Sequence, residues 1–139
     1  MNAIVSPERL IAPRITDRFS VTAEDMEGFA VLSGDRSAVH GAADFARRLG
    51  LEGRVVYEGL IVARLSRLVS QTVPGLAGGL WGGLRIDFHH PLYVGEPAVM
   101  TLLADEAMST SGVARFDFRI EASGRLIADG VIDTLSRPA

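Results

Sequence analysis

Gly59-Leu60-Ile61-Val62-Ala63-Arg64-Leu65-Ser66-Arg67-Leu68-Val69-Ser70-Gln71-Thr72-Val73 is the stretch whose reading decides the fold. Leu60, Ile61, Val62, Ala63, Leu65, Leu68 and Val69 leave it apolar almost all round in its first half. Only Arg64, Arg67 and Gln71 form a polar stripe. A helix of this kind is buried on most of its sides. Pro74-Gly75 ends it, since proline cannot continue the ladder of hydrogen bonds. Ser66, read alone, is a hydroxyl bonded back to a carbonyl of its own helix. After Gly75 the period changes. Leu84, Ile86 and Phe88 alternate with Arg85, Asp87 and His89; Phe116, Phe118 and Ile120 alternate with Arg115, Asp117, Arg119 and Glu121. Both read as half-buried strands. Ala98 to Glu106 is a less regular strand, and Ser123-Gly124 is a turn into a fourth, Arg125 to Leu135. Strands joined by short turns run antiparallel. A helical first half followed by strands gives an α+β fold, with the sheet wrapped around the helix.

Upstream, Pro7 and Pro13 break any regular element, so residues 1–13 read as a loosely ordered N-terminal segment. Arg14 to Val21 is a candidate first strand. Thr22 reads as a helix N-cap, with Asp25 three residues on as a weaker form of the capping box. Met26, Phe29 and Ala30 share one face, and Gly34 ends this helix. A shorter helix follows at 42–49, with Ala42, Phe45, Ala46 and Leu49 on one face and Arg47 and Arg48 on the other; Gly50 stops it. Between the two helices runs Ser33-Gly34-Asp35-Arg36-Ser37-Ala38-Val39-His40. It has no regular period and puts a carboxylate and an imidazole five residues apart. Two readings stand side by side. Asp35 and His40 bind one water between them, an arrangement suited to general acid–base work; or Asp35 caps the next helix and His40 packs nearby.

Composition bounds the rest. At 139 residues the chain forms one domain, 1–139, with a real core. Net charge is −3 with no basic block, which argues against neutralising the phosphates of a nucleic acid. The chain has no cysteine, so disulfides and thiolate chemistry are excluded. His40, His89 and His90 are its only histidines, a poor set for zinc; no metal is expected. No apolar run reaches the length of a membrane span, and Met1 to Pro13 lacks the layout of a signal peptide, so the expected location is cytoplasmic. The glycine-rich run Gly75 to Gly83 lacks the lysine of a phosphate loop. Trp81 reads as core or subunit contact. His89 and His90 read as structural or solvated. Arg47, Arg48, Arg64 and Arg67 read as solvated helix faces, or as cations for a phosphate or an acidic carrier surface.

From about Phe19 to the C-terminus the chain resembles the MaoC-like acyl dehydratases, of the (R)-specific enoyl-thioester hydratase type. Three places carry the resemblance. The first is Phe29 to His40 followed by Ala46, similar to the family's aromatic, Ser-Gly-Asp-x-Asn-Pro-apolar-His core and later small residue. The second is Gly53-Arg54-Val55-Val56. The third is Asp87 to Glu96, with its Pro91-Leu92-Tyr93-Val94-Gly95-Glu96 turn. The resemblance implies a hot-dog fold, an antiparallel sheet wrapped around the long central helix. It implies a hydro-lyase that adds water across a trans-2-enoyl thioester, or removes it from an (R)-3-hydroxyacyl thioester. It implies Asp35 and His40 as the catalytic pair. Backbone N–H groups at the start of the central helix, at Glu58 and Gly59, would polarise the thioester carbonyl. There Tyr57-Glu58 stands for the family's His-Gly. Ser66 would line the site. Ser37 would line it too; Ser37-Ala38 replaces the family's Asn-Pro, whose Asn fixes the loop, and Ala42 replaces an acidic residue, departures that bear on substrate choice.

No cofactor is implied beyond the coenzyme A or acyl-carrier pantetheine of the substrate. The partners implied are that acyl thioester and a second copy, in a homodimer or larger homo-oligomer, with no nucleic acid and no membrane. Two rivals remain. One is a thioesterase, because one fold hosts both chemistries; against it, residues 60–73 hold no Asp or Glu, where hot-dog thioesterases tend to carry a catalytic acid. The other is a non-catalytic acyl-thioester binder, which the Ser37-Ala38 and Glu58 changes favour.

Overall fold

The computed structural model describes residues 14–72, 80–105 and 113–135. In chain order these form β1 (Ile15–Phe19), α1 (Ala23–Ser33), α2 (Ala38–Gly41), α3 (Ala43–Arg48), α4 (Glu58–Thr72), β2 (Trp81–Phe88), β3 (Ala98–Asp105), β4 (Val113–Ala122) and β5 (Arg125–Leu135). The five strands make one antiparallel sheet in the order β1-β3-β4-β5-β2. The α+β hot-dog expectation is met. Ile61, Leu65, Leu68 and Val69 of α4 share a core with Met100, Leu102, Phe116, Phe118, Ile120, Ile127 and Ile132 of the strands. Segments 1–13 and the Pro74-Gly75 stop lie outside the described residues.

Local chemistry explains the boundaries. Asp25 N–H donates to Thr22 Oγ1 and Thr22 N–H to Asp25 Oδ2, both at 3.0 Å, so the capping box is complete. Gly34, at φ 75°, closes α1 in the left-handed region that favours glycine. Ser123 and Gly124 both take positive φ, 51° and 73°, as a tight hairpin turn between β4 and β5 requires. Gly130 of β5 is needed for close approach: a Cβ there would sit 1.9 Å from the Arg85 carbonyl oxygen of β2.

Several sequence expectations are corrected. The central helix starts at Glu58, one residue before Gly59. It is not buried on most sides: Ala63, Ser66, Arg67, Ser70 and Gln71 are exposed, because the sheet covers only one side of it. Arg64 is not a solvated face either. It is half-buried, ion-paired to Asp17 at 3.1 Å, and its guanidinium lies 5.1 Å from the Phe19 ring centre. The helix expected over 42–49 is present as Ala43–Arg48, and a further single turn, Ala38–Gly41, precedes it, the two separated by the extended backbone of Ala42. Of its expected apolar face only Ala46 is buried; Phe45 and Leu49 are 36% and 60% exposed, since so short a helix rests on the body at one point. β1 is shorter than Arg14–Val21. The alternation in β2 buries little, because β2 is an edge strand: Leu84 is 39% and Phe88 41% exposed.

Candidate active site

Gly34 turns the chain sharply out of α1, its N–H donating to the Ala30 carbonyl at 2.8 Å. Asp35 follows at once, half-buried, with its N–H on Ser33 Oγ at 3.0 Å. Its carboxylate folds back on the chain. Oδ1 accepts from the Ser37 N–H at 2.9 Å and the Ser37 hydroxyl at 2.5 Å, a side-chain turn that competes with regular structure. Among the described residues, Oδ2 takes no hydrogen bond. The two bonds from Ser37 hold the Asp35 carboxyl below the usual carboxylate range, and the nearby His40 adds to the effect.

His40 lies in α2, a single helical turn, rather than in irregular chain. It is buried. Its Nδ1 is 2.7 Å from the Val55 carbonyl. A carbonyl oxygen only accepts, so Nδ1 carries the hydrogen and Nε2 is the ring atom left for proton exchange. Nε2 faces the Glu58 carboxylate, Oε1, at 3.8 Å. Glu58 is the first residue of α4 and half exposed; the positive end of the helix dipole suits a carboxylate there. The Tyr57 ring stacks on the imidazole, centroids 4.2 Å apart. Gly59 has a packing reason to be glycine: a Cβ there would lie 2.3 Å from the Phe29 ring.

The structure therefore brings Asp35, Ser37, His40, Glu58 and Gly59 to one place. Ser66 is not among the residues touching the pair. It is exposed, eight residues along α4 from Glu58, or about 12 Å along the axis. His89 and His90 lie elsewhere and are exposed; His89 Nε2 pairs with Asp129 Oδ1 at 2.8 Å, and His90 Nδ1 lies 2.9 Å from the Leu126 carbonyl. Among the described residues no three His, Asp or Glu side chains converge to hold a metal ion, and no helix is long and apolar enough to cross a membrane.

No protein-family model matches the chain. It is 27% identical over 115 residues to the (R)-specific enoyl-CoA hydratase of Aeromonas caviae, covering 83% of this chain and 84% of that protein. Over 75 residues it is 28% identical to the mitochondrial 3-hydroxyacyl-[acyl-carrier-protein] dehydratase of Arabidopsis thaliana, 54% of this chain and 43% of that protein's length. Among solved structures, the (R)-hydratase of A. caviae superposes with a TM-score of 0.82 at 23% identity, over 91% of this chain and 96% of that one. A MaoC-like dehydratase from Rhodospirillum rubrum gives 0.68 at 18% identity, over 93% and 94%. The chain has the hot-dog fold of these structures and is similar in sequence to the (R)-specific enoyl-CoA hydratase.

The sequence alone does not point to every residue that shapes this site. In the sequence Tyr57 stands out only as half of the pair that replaces His-Gly. Its large aromatic ring directly before the central helix was the available signal. Arg54, quoted for the resemblance alone, donates from Nε to the His40 carbonyl at 2.9 Å.

Proposed function

We propose that the protein hydrates trans-2-enoyl thioesters to (R)-3-hydroxyacyl thioesters, and catalyses the reverse dehydration, with Asp35 and His40 acting on one water. The observation that carries this reading is the pairing of an ionised Asp35, with an oxygen to spare, and a His40 whose Nδ1–H is committed to Val55. In hydration the carbon–carbon π bond breaks, the water oxygen bonds to carbon 3 and a proton to carbon 2. Between them the pair takes one proton from water and returns one to carbon. Asp35, in the loop after α1, and His40, in the turn of α2 that follows it, lie within six residues of each other, so oxygen and proton reach the same face of the substrate. Negative charge builds on the thioester oxygen, and the backbone N–H groups of Glu58 and Gly59 are the donors for it. The Glu58 carboxylate points at the pair, so it must swing toward solvent as the thioester docks; its half exposure permits this. Ser37 and Ser66 complete the substrate surface. No metal or redox cofactor takes part beyond the pantetheine thioester of coenzyme A or an acyl carrier protein, and the location is the cytoplasm.

A second reading has one observation in its favour. The central helix begins at Glu58, so it does carry a carboxylate, 3.8 Å from His40, and thioester hydrolysis is the rival chemistry. One assay separates them. Loss of the enoyl absorbance with an (R)-3-hydroxy product is the expected outcome. Thiol release without that loss hands the site to the thioesterase reading, and neither signal leaves a binder.

The assembly proposed is a homodimer. Among the described residues β2 is an edge strand with no neighbour on its outer side, and it exposes Leu84 and Phe88, a combination that invites a second copy. Light scattering at micromolar concentration is expected to give at least twice the chain mass of 14.9 kDa. The single-chain mass would refute the dimer.

A further inference from the structure

Residues 54–57 do more than lead into the central helix. Arg54 Nε donates to the His40 carbonyl at 2.9 Å. The Val55 N–H donates to the Val39 carbonyl at 3.1 Å, and the Val55 carbonyl accepts from His40 Nδ1 at 2.7 Å. The Tyr57 hydroxyl donates to the Asp35 carbonyl at 2.5 Å. Its ring stacks on the His40 imidazole, centroids 4.2 Å apart and planes 28° from parallel. Tyr57 is itself well fixed. It is buried, Phe29 lies tilted against it at 4.8 Å, and the missing side chain of Gly59 makes room for Phe29. The segment is anchored at its far side by the Val56 N–H on the Leu92 carbonyl at 2.8 Å.

One side chain thus touches both members of the pair, the main chain of Asp35 with its hydroxyl and the imidazole of His40 with its ring. Ser37 orients the Asp35 carboxylate only from inside the loop. Nothing within the loop ties Asp35 to His40 directly, since His40 N–H bonds to the Ser37 carbonyl. We propose that Tyr57 is a positioning residue that sets the separation of Asp35 and His40 by gripping one through its hydroxyl and the other through its ring. The proposal rests on the hydration reading above. A pair that must share one water is sensitive to displacements of about 1 Å, which cost up to about 10²-fold in rate.

Two variants divide the grip. Tyr57→Phe keeps the ring and removes the donor; Tyr57→Leu removes both. Tyr57→Phe is expected to lower kcat roughly tenfold with KM within about twofold, and Tyr57→Leu to lower it about 10²-fold. In an Asp35→Asn background, Tyr57→Phe should cost nothing further, because both changes disable one unit. NMR tests the grip without reference to turnover. The His40 ring proton, assigned by its absence in His40→Ala, should stay in place in Tyr57→Phe and move downfield in Tyr57→Leu. The amide of Arg36, in the peptide unit of the Asp35 carbonyl, should move in Tyr57→Phe. Unchanged kcat in Tyr57→Phe, or a loss that simply multiplies with that of Asp35→Asn, overturns the proposal. If the unmodified protein hydrates no enoyl thioester, the hydration reading fails on its own account. Tyr57 is then judged by the Tyr57→Phe spectra alone: a shifted Arg36 amide beside an unmoved His40 ring sustains the grip, and any other pattern removes it.

Discussion

Asp35 and Glu96 are both carboxylates held by neighbouring groups after a tight turn, and both are pushed below the usual carboxylate range. They are held differently. Every oxygen of Glu96 is taken. Oε1 accepts from the Tyr93 N–H at 3.1 Å and Arg125 Nη2 at 2.9 Å; Oε2 accepts from Arg125 Nη1 at 2.9 Å and the Ser123 hydroxyl at 2.6 Å. Arg125 also donates to the Pro91 carbonyl at 2.8 Å. The hydrogen bonds from Arg125 are the largest cause of a Glu96 carboxyl lowered to about 2. This cluster pins the turn at 91–96 to the β4–β5 hairpin. Asp35 is held by one serine through one oxygen, with an imidazole beside it. A carboxylate whose lone pairs are all spent has nothing left to offer a substrate. One that is fixed yet half unspent has both orientation and an open acceptor.

The comparison breaks most visibly in turnover. Asp35→Asn and His40→Ala are each expected to lower kcat for enoyl-thioester hydration by about 10²–10⁴-fold. The double variant should be little worse than either if both serve one water, as proposed. Glu96→Gln should leave kcat within a few fold. Steady-state kinetics on the three proteins checks the contrast, and near-normal turnover in Asp35→Asn would erase it.

Stability should reverse the order. Glu96→Ala leaves Arg125 partly buried without its partner and is expected to cost about 3 kcal/mol, read from urea denaturation. Asp35→Asn should leave the urea midpoint close to that of the unmodified protein, because its bonds are made at the surface of one loop.

Acid sharpens the same contrast. The Glu96 pKa falls on folding from the ordinary 4.5 to about 2, so the folded state binds its proton less readily than the unfolded one. Its contribution is therefore present in full above pH 4.5 and is lost as the pH falls from there toward 2. The size is about 3 kcal/mol. Denaturation midpoints measured across that window should drop steeply in the unmodified protein and less steeply in Glu96→Gln. An equal slope in both would show that Glu96 is not the group responsible.

The smallest expected effect is at Ser66. It lies on the exposed side of α4, where the proposed second copy and the acyl chain would meet it. Ser66→Ala should slow hydration by a few fold and leave the melting temperature unchanged. A lower melting temperature with full activity would make the hydroxyl a structural one.

Local chemistry was legible in the sequence. Thr22 and Asp25 declare the start of α1 and Gly34 its end, because caps act within a few residues. The alternation of Phe116, Phe118 and Ile120 declares β4, because a central strand is covered where its apolar face points. The stretch from Asp35 to His40 stands out for the same reason, its residues being close in sequence, but their spacing leaves the catalytic and the structural reading open and only the resemblance favours the first. The identical alternation in Leu84, Ile86 and Phe88 misled about burial, because a period reports which face is apolar and not whether anything lies against it. Only the tertiary structure put β2 at the sheet edge, turned one face of α4 outward, and aimed Glu58 at His40. Only the fold brought Arg54, Val55 and Tyr57 onto the loop at 35–40, across as many as 22 residues of chain. Contacts at that separation follow from how the core packs, and no local pattern of residues encodes them.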